Sequence, residues 1–139
     1  MSTSVFIEGN LTRDPELSFL NNGMALTKFG LAETYRVRGK NGMEDKEITS
    51  FYDVAVFGKM AENAAETLRR GMAVGVQGRL EVRKYEKNDG TDGFAAEVSA
   101  NFVGPGLRFA TALVNKNPRN ASPSAPQQGA YSLPAEEPF

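Results

Sequence analysis

The stretch FYDVAVF, residues 51–57, decides the fold of this chain. Aromatic and β-branched residues dominate it and neither Gly nor Pro interrupts it, which predicts a β-strand. Side chains alternate between the two faces of a strand, and the even-numbered residues share a face that is apolar enough for a core. The other face carries a charge between two phenylalanines. We therefore expect Phe51 and Phe57 to lie on a partly solvated sheet surface.

Strand patterns also lie on both sides of this stretch. Runs rich in β-branched and aromatic residues predict strands at Val5–Glu8, Met24–Tyr35, Ile48–Phe57, Ala73–Glu86 and Phe94–Val103. Polar segments between them predict turns or loops at Asn10–Glu16, Gly39–Asp45 and Asn88–Gly93. In the fourth strand, one predicted face consists of Val74, Val76, Leu80 and Val82.

One helix is predicted, over Lys59–Arg70. Its single apolar stripe is formed at helical spacing by Ala61, Ala64, Ala65 and Leu68. Glu62 lies in its first half and two arginines lie at its C-terminal end, as the helix dipole favours. Gly71 then predicts a left-handed C-cap.

The elements follow one another as three strands, one helix and two strands. A helix between the third and fourth strands of a five-stranded set is the arrangement of an OB-fold. The sequence therefore predicts an all-β fold over residues 1–114, a five-stranded antiparallel OB-fold barrel with one helix between strands 3 and 4. Residues 115–139 are rich in Pro, Ser, Asn and Gln, and hold too little apolar surface to offset the entropy of ordering. We expect them to form a disordered tail.

Composition excludes several classes of protein. The chain has no cysteine and no histidine, so it can form no disulfide and lacks the usual zinc ligands and general base. It shows no nucleophile–base pair, P-loop or dinucleotide fingerprint. We predict that it is not an enzyme and needs neither a cofactor nor a metal. No apolar run could span a bilayer and no signal-peptide pattern is present, so we expect a cytoplasmic protein without a membrane partner.

Three aromatic residues, Phe51, Phe57 and Tyr85, each lie on the polar face of a predicted strand. Stacking of an unpaired nucleic-acid base on such a ring contributes roughly 1–3 kcal/mol. The alternative is that one or more of them packs under a loop or into a subunit interface, because single exposed aromatic residues are common. Tyr35 could likewise stack on a base or close one end of the barrel.

Basic residues accompany these rings, as single-strand binding requires when stacking and phosphate contacts occur together. The candidates are Arg79, Arg83, Lys84 and Lys87, and a second cluster of Arg36, Arg38 and Lys40. The alternative is ordinary solvated charge paired with nearby glutamates. The net charge of −1 also argues against a uniformly basic nucleic-acid binder, so local clustering of charge matters more than the sum.

The last four residues are Glu136, Glu137, Pro138 and Phe139. An aromatic ring that can fill a pocket, beside carboxylates that can meet basic groups, forms a compact peptide ligand. The alternative is a solubilising acidic end, which is a common feature of chain termini.

Four segments together resemble the bacterial single-stranded-DNA-binding proteins, over nearly the whole chain. They are Val5–Leu17, Phe57–Gly71, Gly78–Tyr85 and Gly104–Ala112, the last being similar to actinobacterial members. The resemblance implies an OB-fold that assembles as a homotetramer and wraps single-stranded DNA without sequence preference. It implies roles in DNA replication, recombination and repair, and a nucleoid-associated location in the cytoplasm.

The resemblance also assigns residues. The stacking aromatics of the family match Phe51, Phe57 and Tyr85, although the family often has Trp at the first and third of these positions and this chain has no Trp. The family's acidic tip recruits replication and repair proteins and closes with Pro-Phe, which matches residues 136–139. Two glutamates stand in place of the usual longer Asp-rich run, and a bacteriophage-encoded member fits this difference equally well.

Two other functions remain open at this stage. One is an RNA-directed OB module, since the same platform would serve RNA and only contacts to the 2′-hydroxyl distinguish the two. The other is an OB domain that binds only proteins, through Phe139, and has no affinity for a nucleic-acid strand.

Overall fold

The computed structural model describes residues 2–118 of the chain. Its elements, in chain order, are β1 (Thr3–Leu11), β2 (Glu16–Phe19), β3 (Ala25–Val37), β4 (Lys46–Phe57), α1 (Lys59–Thr67), β5 (Ala73–Glu86) and β6 (Asp92–Pro105). Residues 119–139, which hold most of the predicted tail and all of the predicted partner-binding tip, lie outside the described residues.

The strands form one sheet that closes into a barrel. Its order is β1-β5-β6-β4-β3-β2, and a further pairing of β1 with β3 closes five strands on themselves. The short β2 pairs only with β3, at the edge. The helix falls between the third and fourth strands of the barrel, so the predicted OB-fold is confirmed.

One pairing in the barrel differs from the antiparallel prediction. β4 and β6 run parallel over Asp53–Ala55 and Glu97–Ser99, whereas every other described pairing is antiparallel. The reason is geometric, because strand directions cannot alternate all the way around a closed ring with an odd number of strands. One parallel contact is therefore required.

The core confirms the predicted alternation along β4 and β5. Val54, Val56, Val74 and Val76 are all buried, together with Phe29, Leu31 and Val98. Leu68, just after α1, is also buried and closes the barrel from the helix side. The hydroxyl of Thr27, itself fully buried, donates a 2.7 Å hydrogen bond to the Ala61 carbonyl and fastens the helix to β3.

The helix ends earlier than predicted. It stops at Thr67, and the backbone of Leu68 is already extended. The extended conformation is favoured because it turns the Leu68 side chain into the core. Gly71 has a left-handed φ of 89° but lies beyond the helix end, where its N–H donates to the Leu11 carbonyl, so the predicted C-cap was wrong. The guanidinium of Arg69 donates to the carbonyls of Ala65 and Leu68 and supplies positive charge at this end.

The segment predicted as a turn at Asn10–Glu16 is partly strand. β1 continues to Leu11, and β2 begins at Glu16 and pairs with β3. The sequence pattern missed β2 because all of its residues are exposed and it is too short to show a clear alternation.

Two hairpin arms extend beyond the barrel. β3 and β4 stay paired out to Val37 and Lys46, and β5 and β6 stay paired out to Glu86 and Asp92, while the pairing of β4 with β6 is much shorter. Val82 was predicted on an apolar face of β5, yet it is exposed because it lies in the second arm, past the core. No helix among residues 2–118 has the length and apolar character needed to cross a membrane.

Candidate nucleic-acid interface

The side of the sheet that points away from the barrel core is called the outer face here. Residues paired in register share a face, so the pairs of Phe57 with Leu26 and of Phe51 with Ala32 define this side of β4 and β3. The pairs of Asp53 with Glu97 and of Glu97 with Glu81 extend it across β6 and β5. The outer face is therefore one continuous surface over four strands.

The three predicted stacking residues all lie on the outer face and are exposed: Phe51 to 68%, Tyr85 to 49% and Phe57 to 43%. Tyr85 lies over Gly93 of the neighbouring strand, where an added Cβ would come within 2.6 Å of the Tyr85 ring. The absence of a side chain at Gly93 thus sets the position of this ring.

The predicted cations differ in how they are paired. Arg83 lies 3.5 Å from a carboxylate oxygen of Glu97, and Arg36 lies 3.5 Å from one of Glu47. Within residues 2–118, Arg79 has no carboxylate within 4.0 Å. Arg79 is therefore the predicted outer-face cation that is least committed to another side chain.

Lys28 is an outer-face cation that the sequence analysis missed. It pairs in register with Ala55, whose neighbours across the sheet are Ser99 and then Arg79. Among the described residues it has no ion pair. Lys28 and Arg79, neither of which has an ion pair within residues 2–118, therefore lie on either side of the small side chains of Ala55 and Ser99. The available signal was the period of two along β3, which places Lys28 on the face opposite the buried Thr27 and Phe29.

A row of carboxylates crosses the middle of the outer face. Asp53, Glu97 and Glu81 occupy neighbouring strands in register. Two of them contact arginines, since Arg83 pairs with Glu97 and Arg13 lies 3.9 Å from Asp53. This row makes the centre of the face unfavourable for phosphate and leaves its two sides more favourable. No group of three or more acidic residues within 2–118 is arranged to hold a metal ion.

Two predicted site residues lie on the opposite side of the sheet. Tyr35 pairs with Ile48 on the core side of the first arm, so it is separated from Arg36. Lys84 pairs with Phe94 on the core side of the second arm and forms a 3.4 Å ion pair with Asp92. The structure thus brings six predicted residues to the outer face: Arg36, Phe51, Phe57, Arg79, Arg83 and Tyr85.

Two groups near the face have shifted pKa values. Burial, reinforced by the charge of Glu33, raises the pKa of Tyr52, which lies on the core side of β4. Hydrogen bonds from the Thr91 hydroxyl and N–H lower the pKa of Asp89 in the loop between β5 and β6. The first shift favours the neutral phenol of Tyr52 beside the core, and the second favours the ionised carboxylate of Asp89 in the loop.

Further aromatic rings are exposed on the outer face beyond the predicted set. Phe6 on β1 and Phe102 on β6 both pair in register with Gln77 of the intervening β5. Each ring packs against a neighbouring glycine, Gly75 or Gly104. An extra residue in β6 opposite Gln77 and Gly78 shifts the alternation and turns Phe102 outward, which a strict period of two could not predict.

Comparisons with known proteins agree with this architecture. The Single-strand binding protein family matches residues 2–105. A single-stranded DNA-binding protein of Paenarthrobacter aurescens is 40% identical over 131 residues, covering 93% of this chain and 76% of that protein. One of Mycobacterium leprae is 41% identical over 119 residues, covering 85% and 71%.

A solved structure is similar as well. The small single-stranded DNA-binding protein from Streptomyces coelicolor superposes with a TM-score of 0.66 at 30% identity, covering 76% of this chain and 95% of that one. The resemblance drawn from four sequence segments is therefore confirmed, and the chain belongs to the Single-strand binding protein family.

Proposed function

We propose that this chain binds single-stranded DNA without sequence preference through its outer face. The observation that carries the proposal is that three exposed rings, Phe51, Phe57 and Tyr85, share one continuous surface with Arg79 and Lys28, which form no ion pair within residues 2–118. Every base has a π-face, so stacking on such rings tolerates any sequence. The relatives named above as single-stranded DNA-binding proteins support the same function.

In this mechanism the rings supply most of the affinity and the cations fix the path of the backbone. Arg79 and Lys28 hold phosphates, Arg83 and Arg36 contribute less because each already contacts a carboxylate, and the acidic row keeps phosphates away from the centre of the face. Tyr35 and Lys84 contact DNA only where the DNA strand passes around the hairpin arms to their core side. A modest number of phosphate contacts gives a moderate dependence on salt.

Membership of the family supports the proposal of a wider role. We propose a non-enzymatic, cytoplasmic and nucleoid-associated protein that protects single strands during replication, recombination and repair. Residues 1–114 form the DNA-binding domain, and residues 115–139 form a linker whose Glu136, Glu137, Pro138 and Phe139 recruit replication and repair proteins. Phe139→Ala is expected to abolish binding to such a purified partner while leaving affinity for DNA unchanged, and an unchanged partner affinity would overturn this role.

We also propose that the chain assembles as a homotetramer. Phe6 and Phe102 support this, because these two rings, each more than half exposed, lie on either side of Gln77 on the barrel surface and offer apolar area of the kind that subunit interfaces bury. Sedimentation equilibrium of the wild-type chain and of Phe6→Ala tests it. A monomeric wild-type protein would refute the proposal.

The central test is fluorescence anisotropy with labelled oligo-dT, the matching RNA and a duplex of equal length, at low and moderate salt. We expect tight binding to the DNA single strand, weak binding to duplex and a moderate loss of affinity with salt. Equal or tighter binding to RNA would favour the RNA-directed module. Absence of binding to DNA, RNA and duplex alike would refute the proposal and favour an OB domain that binds only proteins.

A further inference from the structure

An open cleft of about 340 Å³ lies where β4 and β6 separate. Their pairing is confined to Asp53–Ala55 and Glu97–Ser99, and on the N-terminal side of it each strand continues into its own hairpin arm. Phe51 lines the cleft from β4, and Phe94 lines it from β6. The cleft therefore adjoins the proposed DNA-binding face at one of its stacking rings.

Phe94 is an exposed ring to which neither the sequence analysis nor the proposed mechanism gives a role. It is 67% exposed, nearly the same as Phe51. Its pairing with Lys84 places it on the core side of the second arm, but the arm lies beyond the barrel and the ring is left without a core to enter. The next two residues, Ala95 and Ala96, are small and leave the cleft open.

A cation lies at the edge of the same cleft. Arg13, in the loop between β1 and β2, crosses the outer face above Gly30, where an added Cβ would come within 2.8 Å of its Nη1. Its Nη2 lies 3.9 Å from an oxygen of Asp53, and its side chain is still 47% exposed. A guanidinium has five N–H donors, so Arg13 keeps donors for a ligand beyond its contact with Asp53.

We propose that this cleft binds one unpaired nucleobase, with Phe94 as a second stacking ring beside Phe51 and Arg13 as the cation that holds an adjoining phosphate. The proposal rests on the proposed function and adds two residues to it. A planar base with apolar faces and polar edges matches a cleft that has aromatic rings and, at its edge, Thr12 and Asp53. A base inside a duplex is stacked between its neighbours and cannot enter.

The first test compares Phe94→Ala with Phe19→Ala by anisotropy of labelled oligo-dT. Phe19 is a matched control, because it is 62% exposed and lies on β2, away from the cleft. We expect Phe94→Ala to weaken binding about fivefold or more and Phe19→Ala to have no effect. Affinity of Phe94→Ala within twofold of wild type would overturn the proposal while the proposed function stands.

A double-mutant cycle tests whether the two rings serve one base. If Phe51 and Phe94 contact the same base, Phe51→Ala/Phe94→Ala loses less affinity than the product of the two single losses. Losses that multiply fully would show separate sites and refute the shared cleft. Circular dichroism of each variant establishes that the barrel is intact.

Ultraviolet cross-linking of the wild-type chain to oligo-dT gives a readout that needs no variant. Mass spectrometry is expected to find thymine on Phe94 as well as on the outer-face rings. Cross-links at Phe57 and Tyr85 with none at Phe94 would overturn the cleft alone, whereas no binding and no cross-link anywhere would overturn the proposed function with it.

Arg13→Gln is expected to lower the slope of log Kd against log salt by about 0.7, and an unchanged slope would remove Arg13 from the site.

Discussion

Arg83 of β5 lies 3.5 Å from Glu97 of β6, while Arg79, four residues earlier on the same face, has no carboxylate within 4.0 Å among residues 2–118. Two arginines that look equivalent in the sequence therefore differ in what they offer to a phosphate. Binding to Arg83 must compete with an ion pair, and binding to Arg79 need not.

This difference predicts distinct salt dependences. Arg79→Ala is expected to reduce the slope of log Kd against log salt by about 0.7, because one released counterion is lost for a single strand. Arg83→Ala is expected to change it much less. Anisotropy titrations at four salt concentrations measure both slopes, and equal slopes for the two variants would contradict the role assigned to the Glu97 pair.

Glu97→Gln is expected to strengthen binding to single-stranded DNA, about two- to fivefold at low salt, because it removes one charge from the acidic row and frees Arg83. The matched control is Glu62→Gln, which breaks the exposed 3.2 Å ion pair with Lys59 on the helix, away from the face. Weaker binding by Glu97→Gln would show instead that the Glu97 carboxylate itself contributes to DNA binding.

Replacing any one of Phe51, Phe57 or Tyr85 by Ala is expected to weaken binding to oligo-dT by about 1–3 kcal/mol, or roughly five- to 150-fold. The rings are exposed, so the free energy of unfolding should change little. Anisotropy measures the first quantity and urea denaturation the second. A folded Phe57→Ala/Tyr85→Ala variant with wild-type affinity would rule out stacking on these rings.

Gly78→Ala is expected to destabilise the barrel by about 1–3 kcal/mol. A methyl at this position would meet the carbonyl oxygen of Ser99 and come within 2.9 Å of the Ala100 Cα, next to the irregularity in β6. Gly106→Ala is the control, since its closest contact would be an ordinary 3.5 Å to Ala73. Urea denaturation of the two variants measures the difference, and equal stabilities would contradict the packing argument.

The loop between β5 and β6 is expected to lose stability in acid. The Asp89 carboxylate accepts bonds of 2.6 Å and 3.0 Å from Thr91, so its pKa is lower in the folded chain than in the unfolded one. The contribution is complete above the unfolded pKa and disappears as pH falls through the folded one. An NMR titration of the Asp89 carboxyl carbon should give a midpoint below that of an unfolded peptide, and an equal midpoint would refute the prediction.

Local patterns predicted most of the elements but few of their ends. The alternation along β4 and β5 was correct because it depends only on neighbouring residues of one strand. The helix was predicted to reach Arg70, but it stops at Thr67, since burial of Leu68 outweighs local helix propensity. β2 was missed because its four exposed residues carry no periodic signal.

The sequence by itself determined which side chains are aromatic, which are charged and, except beyond the bulge that turns Phe102 outward, which face of its own strand each one occupies. It could do so because the period of an uninterrupted strand is a local property. Tertiary structure alone decided which strands are neighbours. Barrel closure aligned Lys28 with Arg79 and Asp53 with Glu97, and the separation of β4 from β6 brought Phe94 and Arg13 to the cleft beside Phe51. These relationships join residues far apart in the chain, so only the closed sheet fixes them.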